Sequence, residues 1–248
     1  MGQKERARDK LLKKARWYSD HNRLYKACIH YLNFLREEPG NIQALEELGQ
    51  LYMDRGDFEL GALCFDAILG GDQLRQDVLI RQIRCYFQAG RISEALLLLE
   101  MIPEWGEEHL EEVMMARSQC RLSMGFELEA IQIMGDLIRR FPQPPYFMIL
   151  AEILMAQLQW PAALECCRRG LKRDPYSDEL LAAKARCHLE LDEYGKARDI
   201  YMKMIKNQMP QMEVRMDLED CLANKGYIPE LADILRYFED FPFTDLQD

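Results

Sequence analysis

No apolar run in these 248 residues is long enough to cross a bilayer, so a membrane-inserted chain is not expected. The first thirty residues are basic and amphipathic, without the apolar stretch of a secretory signal, and Arg6 stands where a myristoylation signal after Met-Gly needs Ser or Thr. A cytoplasmic protein is the expectation. The eight cysteines include no Cys-x-x-Cys pair, and His21, His30, His109 and His188 are widely separated, with no second ligand at helical i, i+4 spacing. There is no phosphate-cradling glycine loop, nucleophile elbow or paired-carboxylate motif; Gly70-Gly71 reads as a turn. Neither a metal, a cofactor nor an enzymatic activity is expected. Nucleic acid is not the expected partner of a chain with a formal charge of −10 whose basic residues cluster only at one end.

What is present is a period. Seven units begin near Arg8, Ile42, Gln76, Glu111, Pro144, Asp178 and Met212, at intervals of 34, 34, 35, 33, 34 and 34 residues. The units span residues 8–41, 42–75, 76–110, 111–143, 144–177, 178–211 and 212–240, with a tail at 241–248. Position twenty of each unit is Ala27, Gly61, Ala95, Ala130, Ala163, Ala197 and Leu231, so six of seven place a tiny residue where two helices must approach closely. Position fifteen is Asn22, Gly56, Gly90, Gly125, Leu158, Asp192 and Gly226, and Gly, Asn and Asp tolerate the left-handed conformation that ends a helix. Large side chains recur at position seventeen (Leu24, Phe58, Ile92, Trp160, Tyr194, Ile228) and twenty-four (Tyr31, Phe65, Leu99, Met134, Cys167, Tyr201, Leu235), which predicts the interior seam of a helical hairpin. Pro39, Pro142 and Pro175 stop the second helix.

On these residues the chain resembles the tetratricopeptide repeat family from about Arg8 to Asp240. The best matching segments start at Ile42 (Leu48, Gly49, Tyr52, Gly56, Phe58, Gly61, Phe65) and at Pro144 (Phe147, Leu150, Ala151, Trp160, Ala163, Pro175). Ile83 and Glu219 replace the small residue usual at position eight, and Glu127 sits at position seventeen, which predicts altered packing at the third, fourth and last hairpins. The resemblance implies an all-α, right-handed superhelical solenoid of about seven antiparallel hairpins. The whole chain would form one such array, because each unit buries its apolar face on its neighbours.

Cysteine follows the same register: Cys85, Cys120, Cys187 and Cys221 at position ten, Cys64 and Cys166 at twenty-three. Buried thiols are predicted, with a metal or redox role for the vicinal Cys166 and Cys167 as the alternative.

The resemblance further implies that positions two, five, nine, twelve and thirteen of the first helices line a concave groove. Positions five and twelve are rich in apolar residues and methionine, and position nine between them is polar. A groove formed by Ile80, Phe87, Met115, Leu122, Met148, Met155 and Leu189, with Arg84 and Arg186 selecting carboxylates, would receive a helical or extended protein segment with apolar anchors. Packing of those side chains against neighbouring helices is the competing reading. The Lys-Asn, Asn, Lys-Arg clamp of co-chaperones that bind a Glu-Glu-Val-Asp tail is absent: the corresponding pairs are Leu12 and Arg16, Glu46 and Gln50, Ile80 and Arg84.

Residues 1–26 carry nine Lys or Arg against three acids, while residues 213–248 carry three against ten. Either the ends are solvated caps, or oppositely charged ends join head to tail into a homo-oligomer. Phe241, Phe243 and Leu246 of the tail are either frayed or docked in an apolar groove. The function expected is a non-catalytic scaffold or adaptor for a protein partner. The alternatives are a self-assembling scaffold and a cytoplasmic chaperone for an apolar client.

Overall fold

The computed structural model describes residues 3–70, 75–102, 104–206, 211–232 and 234. Thirteen helices run Gln3–Asp20 (α1), Leu24–Glu37 (α2), Ile42–Arg55 (α3), Phe58–Leu69 (α4), Gln76–Gln88 (α5), Ile92–Met101 (α6), Glu107–Ser123 (α7), Glu127–Arg140 (α8), Pro144–Ala156 (α9), Trp160–Leu171 (α10), Asp178–Glu190 (α11), Tyr194–Lys206 (α12) and Gln211–Lys225 (α13), and the backbone is helical again at 229–232 and 234. No strand occurs among the described residues. The architecture is an all-α solenoid of helix-turn-helix repeats. It packs as two compact units, Met1–Ile133 and Met134–Asp248, divided within α8.

Each hairpin turns at position fifteen. All seven residues there have positive φ: Asn22, Gly56, Gly90, Gly125, Leu158, Asp192 and Gly226. Six turns show the cause directly, since the residue after the left-handed one donates its N–H back into the finished helix, as in Asp57 N to Tyr52 O at 2.8 Å and Arg91 N to Tyr86 O at 2.8 Å, and equally after the non-glycine Leu158, with Gln159 N to Leu154 O at 2.9 Å. This bond satisfies a carbonyl that the helix end would otherwise leave open. The second helix then begins at position seventeen, with Leu24, Phe58, Ile92, Glu127, Trp160 or Tyr194 as its first residue. Caps help where the chain enters a first helix: Asn41 accepts from Ala44 N at 3.0 Å and Ser177 from Leu180 N at 3.3 Å. Pro144 and Pro145 open α9, where a missing N–H costs nothing.

Positions twenty and twenty-four are buried in every unit where they are described, whereas position seventeen is half-buried except for the buried Ile228. The seam expected at seventeen is therefore the rim of the hairpin, and the seam itself lies at twenty-four; Leu235 at that position falls outside the described residues. Gly61 shows the tightness of the contact: a Cβ there would lie 3.0 Å from Cys85 Sγ and 3.3 Å from the Gly49 carbonyl oxygen. All eight cysteines are free and buried. Burial pushes the Cys85 and Cys120 thiols up to about 11, which makes them packing groups with little thiolate at neutral pH. Ile83, at a position usually small, is buried in the α5–α6–α7 cluster with Leu99 and Val113.

His188 on α11 is buried, with Nδ1 2.5 Å from Glu193 at the start of the α12 hairpin arm. Desolvation holds its pKa below the usual imidazole value despite the Glu193 contact. A depressed histidine contributes stability that is complete above the unfolded value near 6.5 and is lost as pH falls toward the folded value. Melting temperature should therefore drop on acidification from about pH 7 to pH 5, and the drop should shrink in His188→Gln; an unchanged slope would exclude this role.

Leu158 carries a side chain where its φ of 57° suits glycine, and the side chain is 71% exposed. Left-handed strain of roughly 1–2 kcal/mol exceeds the extra unfolded-state entropy of glycine, about 0.4–1 kcal/mol. Leu158→Gly should raise the urea midpoint and Gly90→Leu should lower it; the reverse order would refute the assignment of strain.

Candidate functional site

Each of the two compact units carries a cleft, lined mainly by first helices. In the C-terminal unit, α9, α11 and α13 with the first residue of α10 enclose about 550 Å³. Its apolar part is Met155, Trp160 and Leu189, and its polar part is Glu152, Arg186, Glu190, Asp217, Asp220, Asn224 and Lys225. In the N-terminal unit, α1, α2, α3 and α5 enclose about 480 Å³ lined by Arg16, Ser19, Tyr31, Glu46, Glu47, Gln50 and Arg81 among others.

One device recurs at both clefts, which its arginine and acid line in each case. Arg16 donates to Glu47 through two nitrogens at 2.8 and 3.0 Å, and the Tyr31 hydroxyl donates to the same carboxylate at 2.9 Å. In the other unit the Tyr201 hydroxyl donates to Asp217 at 3.0 Å, with Arg186 Nε 3.9 Å from the same oxygen. The two sets occupy identical register positions, nine, twenty-four and six of the following repeat. Burial first, and then the facing carboxylate, push both tyrosines upward, so each stays a hydrogen-bond donor at physiological pH. The hydrogen bond from Arg16 to Glu47 raises Arg16 in turn. Aspartate is one methylene shorter than glutamate, and the second arginine stands off accordingly.

The nine residues expected to line a groove divide by depth. Ile80 is buried in the α5–α6–α7 cluster, which corrects its assignment to the surface; position five faces α7 there, and the side chain is consumed by packing. Leu189 is likewise a core residue and reaches the C-terminal cleft only at its edge. Phe87, packed on the α5–α6–α7 cluster, and Met115, Met148 and Met155 are half-buried, while Leu122 is exposed. Arg84 forms an ion pair with Glu112 at 2.5 Å. Of the nine, Met155, Arg186 and Leu189 come together in one cleft. Trp160 belongs to it too, and the register that assigned position seventeen to the seam concealed this.

The cleft's charges are mostly committed. Arg186 faces Asp217, and Lys225 lies 2.9 Å from Asp192 and 3.7 Å from Glu190 while donating to the Leu189 carbonyl at 2.8 Å. Among the described residues Glu152 and Asp220 have no ion-pair partner. No group of three or more His, Cys, Asp or Glu side chains with metal-binding geometry occurs among the described residues.

The sequence model of the tetratricopeptide repeat matches residues 46–107 and 149–210, together half of the chain. The chain belongs to the tetratricopeptide repeat family. No curated protein sequence matches it. Among solved structures, a tetratricopeptide repeat protein from Parabacteroides merdae shares 14% identity at a TM-score of 0.68, over 97% of this chain and 95% of that one. PilF of Pseudomonas aeruginosa shares 15% at 0.62, over 87% and 98%. YrrB, a tetratricopeptide repeat protein with an unusual peptide-binding site, shares 18% at 0.57, over 70% and 90%. These likenesses show the fold. Tetratricopeptide repeat proteins generally serve as scaffolds for protein–protein interaction, and among the described residues no helix is long and apolar enough to cross a membrane.

Each tyrosine of the paired devices should contribute about 1 kcal/mol, the net worth of a buried hydrogen bond. Tyr31→Phe and Tyr201→Phe should both lower the urea midpoint, whereas Asp217→Glu should raise it by letting the carboxylate reach Arg186 as Glu47 reaches Arg16. Loss of stability in Asp217→Glu would show that the 3.9 Å gap is filled by packing that the longer side chain disturbs.

Proposed function

We propose that this tetratricopeptide repeat protein is a non-catalytic adaptor whose C-terminal cleft receives a partner segment presenting an apolar anchor beside a lysine or arginine. The observation that carries this reading is the pairing of an apolar wall, Met155 and Trp160, with two carboxylates, Glu152 and Asp220, that lack ion-pair partners among the described residues. The sequence alone favours arginines selecting partner carboxylates, but Arg84 and Arg186 already face Glu112 and Asp217. Uncommitted charge in the cleft is negative, and complementarity then asks for a basic segment. Trp160 adds a face on which a cation can rest. The half-buried Met115 and Met148 support further adaptable apolar contact outside this cleft. Eight buried free thiols support a reducing, cytoplasmic setting.

Head-to-tail self-assembly is favoured as a second reading by the opposite charge of residues 1–26 and 213–248. The aromatic tail at 241–248 lies outside the described residues.

Panning a displayed peptide library against the full chain tests the primary reading. Sequences with a basic residue next to an aromatic or aliphatic one should be enriched, and Glu152→Lys with Asp220→Lys should weaken their binding by at least about tenfold without lowering the melting temperature. Enrichment of acidic peptides, or binding untouched by the double substitution, would exclude the assignment.

A further inference from the structure

The C-terminal unit holds a further concavity, of about 400 Å³, that shares no lining residue with its cleft. Phe147 of α9 lines it together with Arg169, Lys172 and Arg173 at the end of α10. Gly170 lets these residues meet. A Cβ there would lie 3.0 Å from Phe147 Cβ and 2.7 Å from Leu180 Cδ1, so a side chain would hold the end of α10 away from α9. Arg173 N donates to the Gly170 carbonyl at 2.9 Å, and this turn returns Arg173 to the side of Arg169. Both guanidinium carbons stand within cation–π range of the buried Phe147 ring, at 5.2 and 5.8 Å from its centroid. All three basic side chains are exposed.

These cations have no counter-charge. Among the described residues none of Arg169, Lys172 and Arg173 forms an ion pair or donates a side-chain hydrogen bond. The nearest acids along the chain are engaged elsewhere, Glu165 at 3.8 Å from Arg168 and Asp174 with the Tyr176 N–H at 3.1 Å. A helix C-terminus offers only about half an elementary negative charge, too little to balance three cations. The register supplies a comparison, because these residues hold positions twenty-six, twenty-nine and thirty. In the preceding repeat Asp136 occupies twenty-six and pairs with Arg139, and no other repeat has three cations at these positions. Position four is likewise aromatic in this repeat alone. Hairpin packing therefore requires neither the ring nor the cations. We propose that this concavity binds a phosphate monoester, with Arg169 and Arg173 taking its oxygens and Lys172 adding a third charge. Guanidinium forks match phosphate oxygens in pairs, and a dianion balances the cluster better than a carboxylate does. Phe147 holds both arginines in place before the ligand arrives, so less side-chain freedom is lost on binding.

Two probes test it on the full chain at low salt: millimolar inorganic phosphate, and a fluorescein-labelled peptide mixture randomised around a fixed phosphoserine, with the matching serine mixture as control. Phosphate should raise the melting temperature, and the phosphoserine mixture should bind at least about tenfold tighter than the serine mixture. Arg169→Gln with Arg173→Gln should abolish both effects. Because that pair also uncovers the Phe147 ring, Lys172→Gln serves as the second variant: it should weaken both effects while leaving the ligand-free melting temperature unchanged. Arg198→Gln removes one exposed charge from α12, where Arg198 pairs with Asp199, and should bind as the wild type does. A preference for the phosphoserine mixture upholds the site and assigns the phosphate to a protein partner. Stabilisation by free phosphate without that preference upholds it for a small phosphorylated molecule. No response to either probe, or a loss in Arg198→Gln equal to that in Lys172→Gln, would overturn the proposal.

Discussion

Everything in this chain depends on how closely two helices of one hairpin approach. The distance is set at position twenty, where Ala27, Gly61, Ala95, Ala130, Ala163 and Ala197 are buried with no side chain beyond a methyl group. With backbones that near, the large residue four positions on has only one place to go, and Tyr31, Phe65, Leu99, Met134, Cys167 and Tyr201 all become core. A cysteine at position ten fits the remaining gap better than a longer hydrophobe: Cys85 Sγ sits within 3.0 Å of where Gly61 would carry a Cβ. The thiols are volume matched to a fixed spacing, and this explains their repetition without invoking redox chemistry.

Much of the fold was legible because its constraints are local and repeat. A left-handed turn, a tiny contact residue and a stop signal each involve one residue and its immediate chain neighbours, so the sequence can specify them. Even Leu158, an unsuitable residue, takes the left-handed conformation, because the helices on either side leave the turn no alternative. Burial depth is different in kind. Ile80 and Met216 share position five, yet one is buried and the other is exposed, since depth depends on which helix follows. A register predicts the direction in which a side chain points; whether anything covers it is decided by the next hairpin.

The paired arginine, tyrosine and acid devices illustrate a signal that was present and went unread. Arg16, Tyr31 and Glu47 have the same spacing as Arg186, Tyr201 and Asp217, but each set crosses from one repeat into the next. Reading position by position within a unit separates the three members. The acid belongs to one unit and its partners to the preceding one, so only the junction, treated as the repeating element, reveals them. In both cases a buried phenol is satisfied by a carboxylate beside an arginine; the first arginine is hydrogen-bonded to that acid, whereas Arg186 Nε stands 3.9 Å off and is buried without a hydrogen-bond partner.

A repeat fold of this kind also separates surfaces that a globular core would couple. First helices supply most of the cleft walls, and the hairpin core is built from positions twenty and twenty-four, of which Tyr31 alone among the described residues also lines a cleft. Position twenty-two is exposed in each hairpin from the first to the sixth, whether it holds Ile29, Leu63 and Leu97 or Gln132, Glu165 and Asp199, so the hairpin packing does not depend on its residue type. The same reasoning applies to Glu152 and Asp220, whose charges no hairpin contact requires, and it is this independence from stability that makes the cleft interpretable as an interaction site.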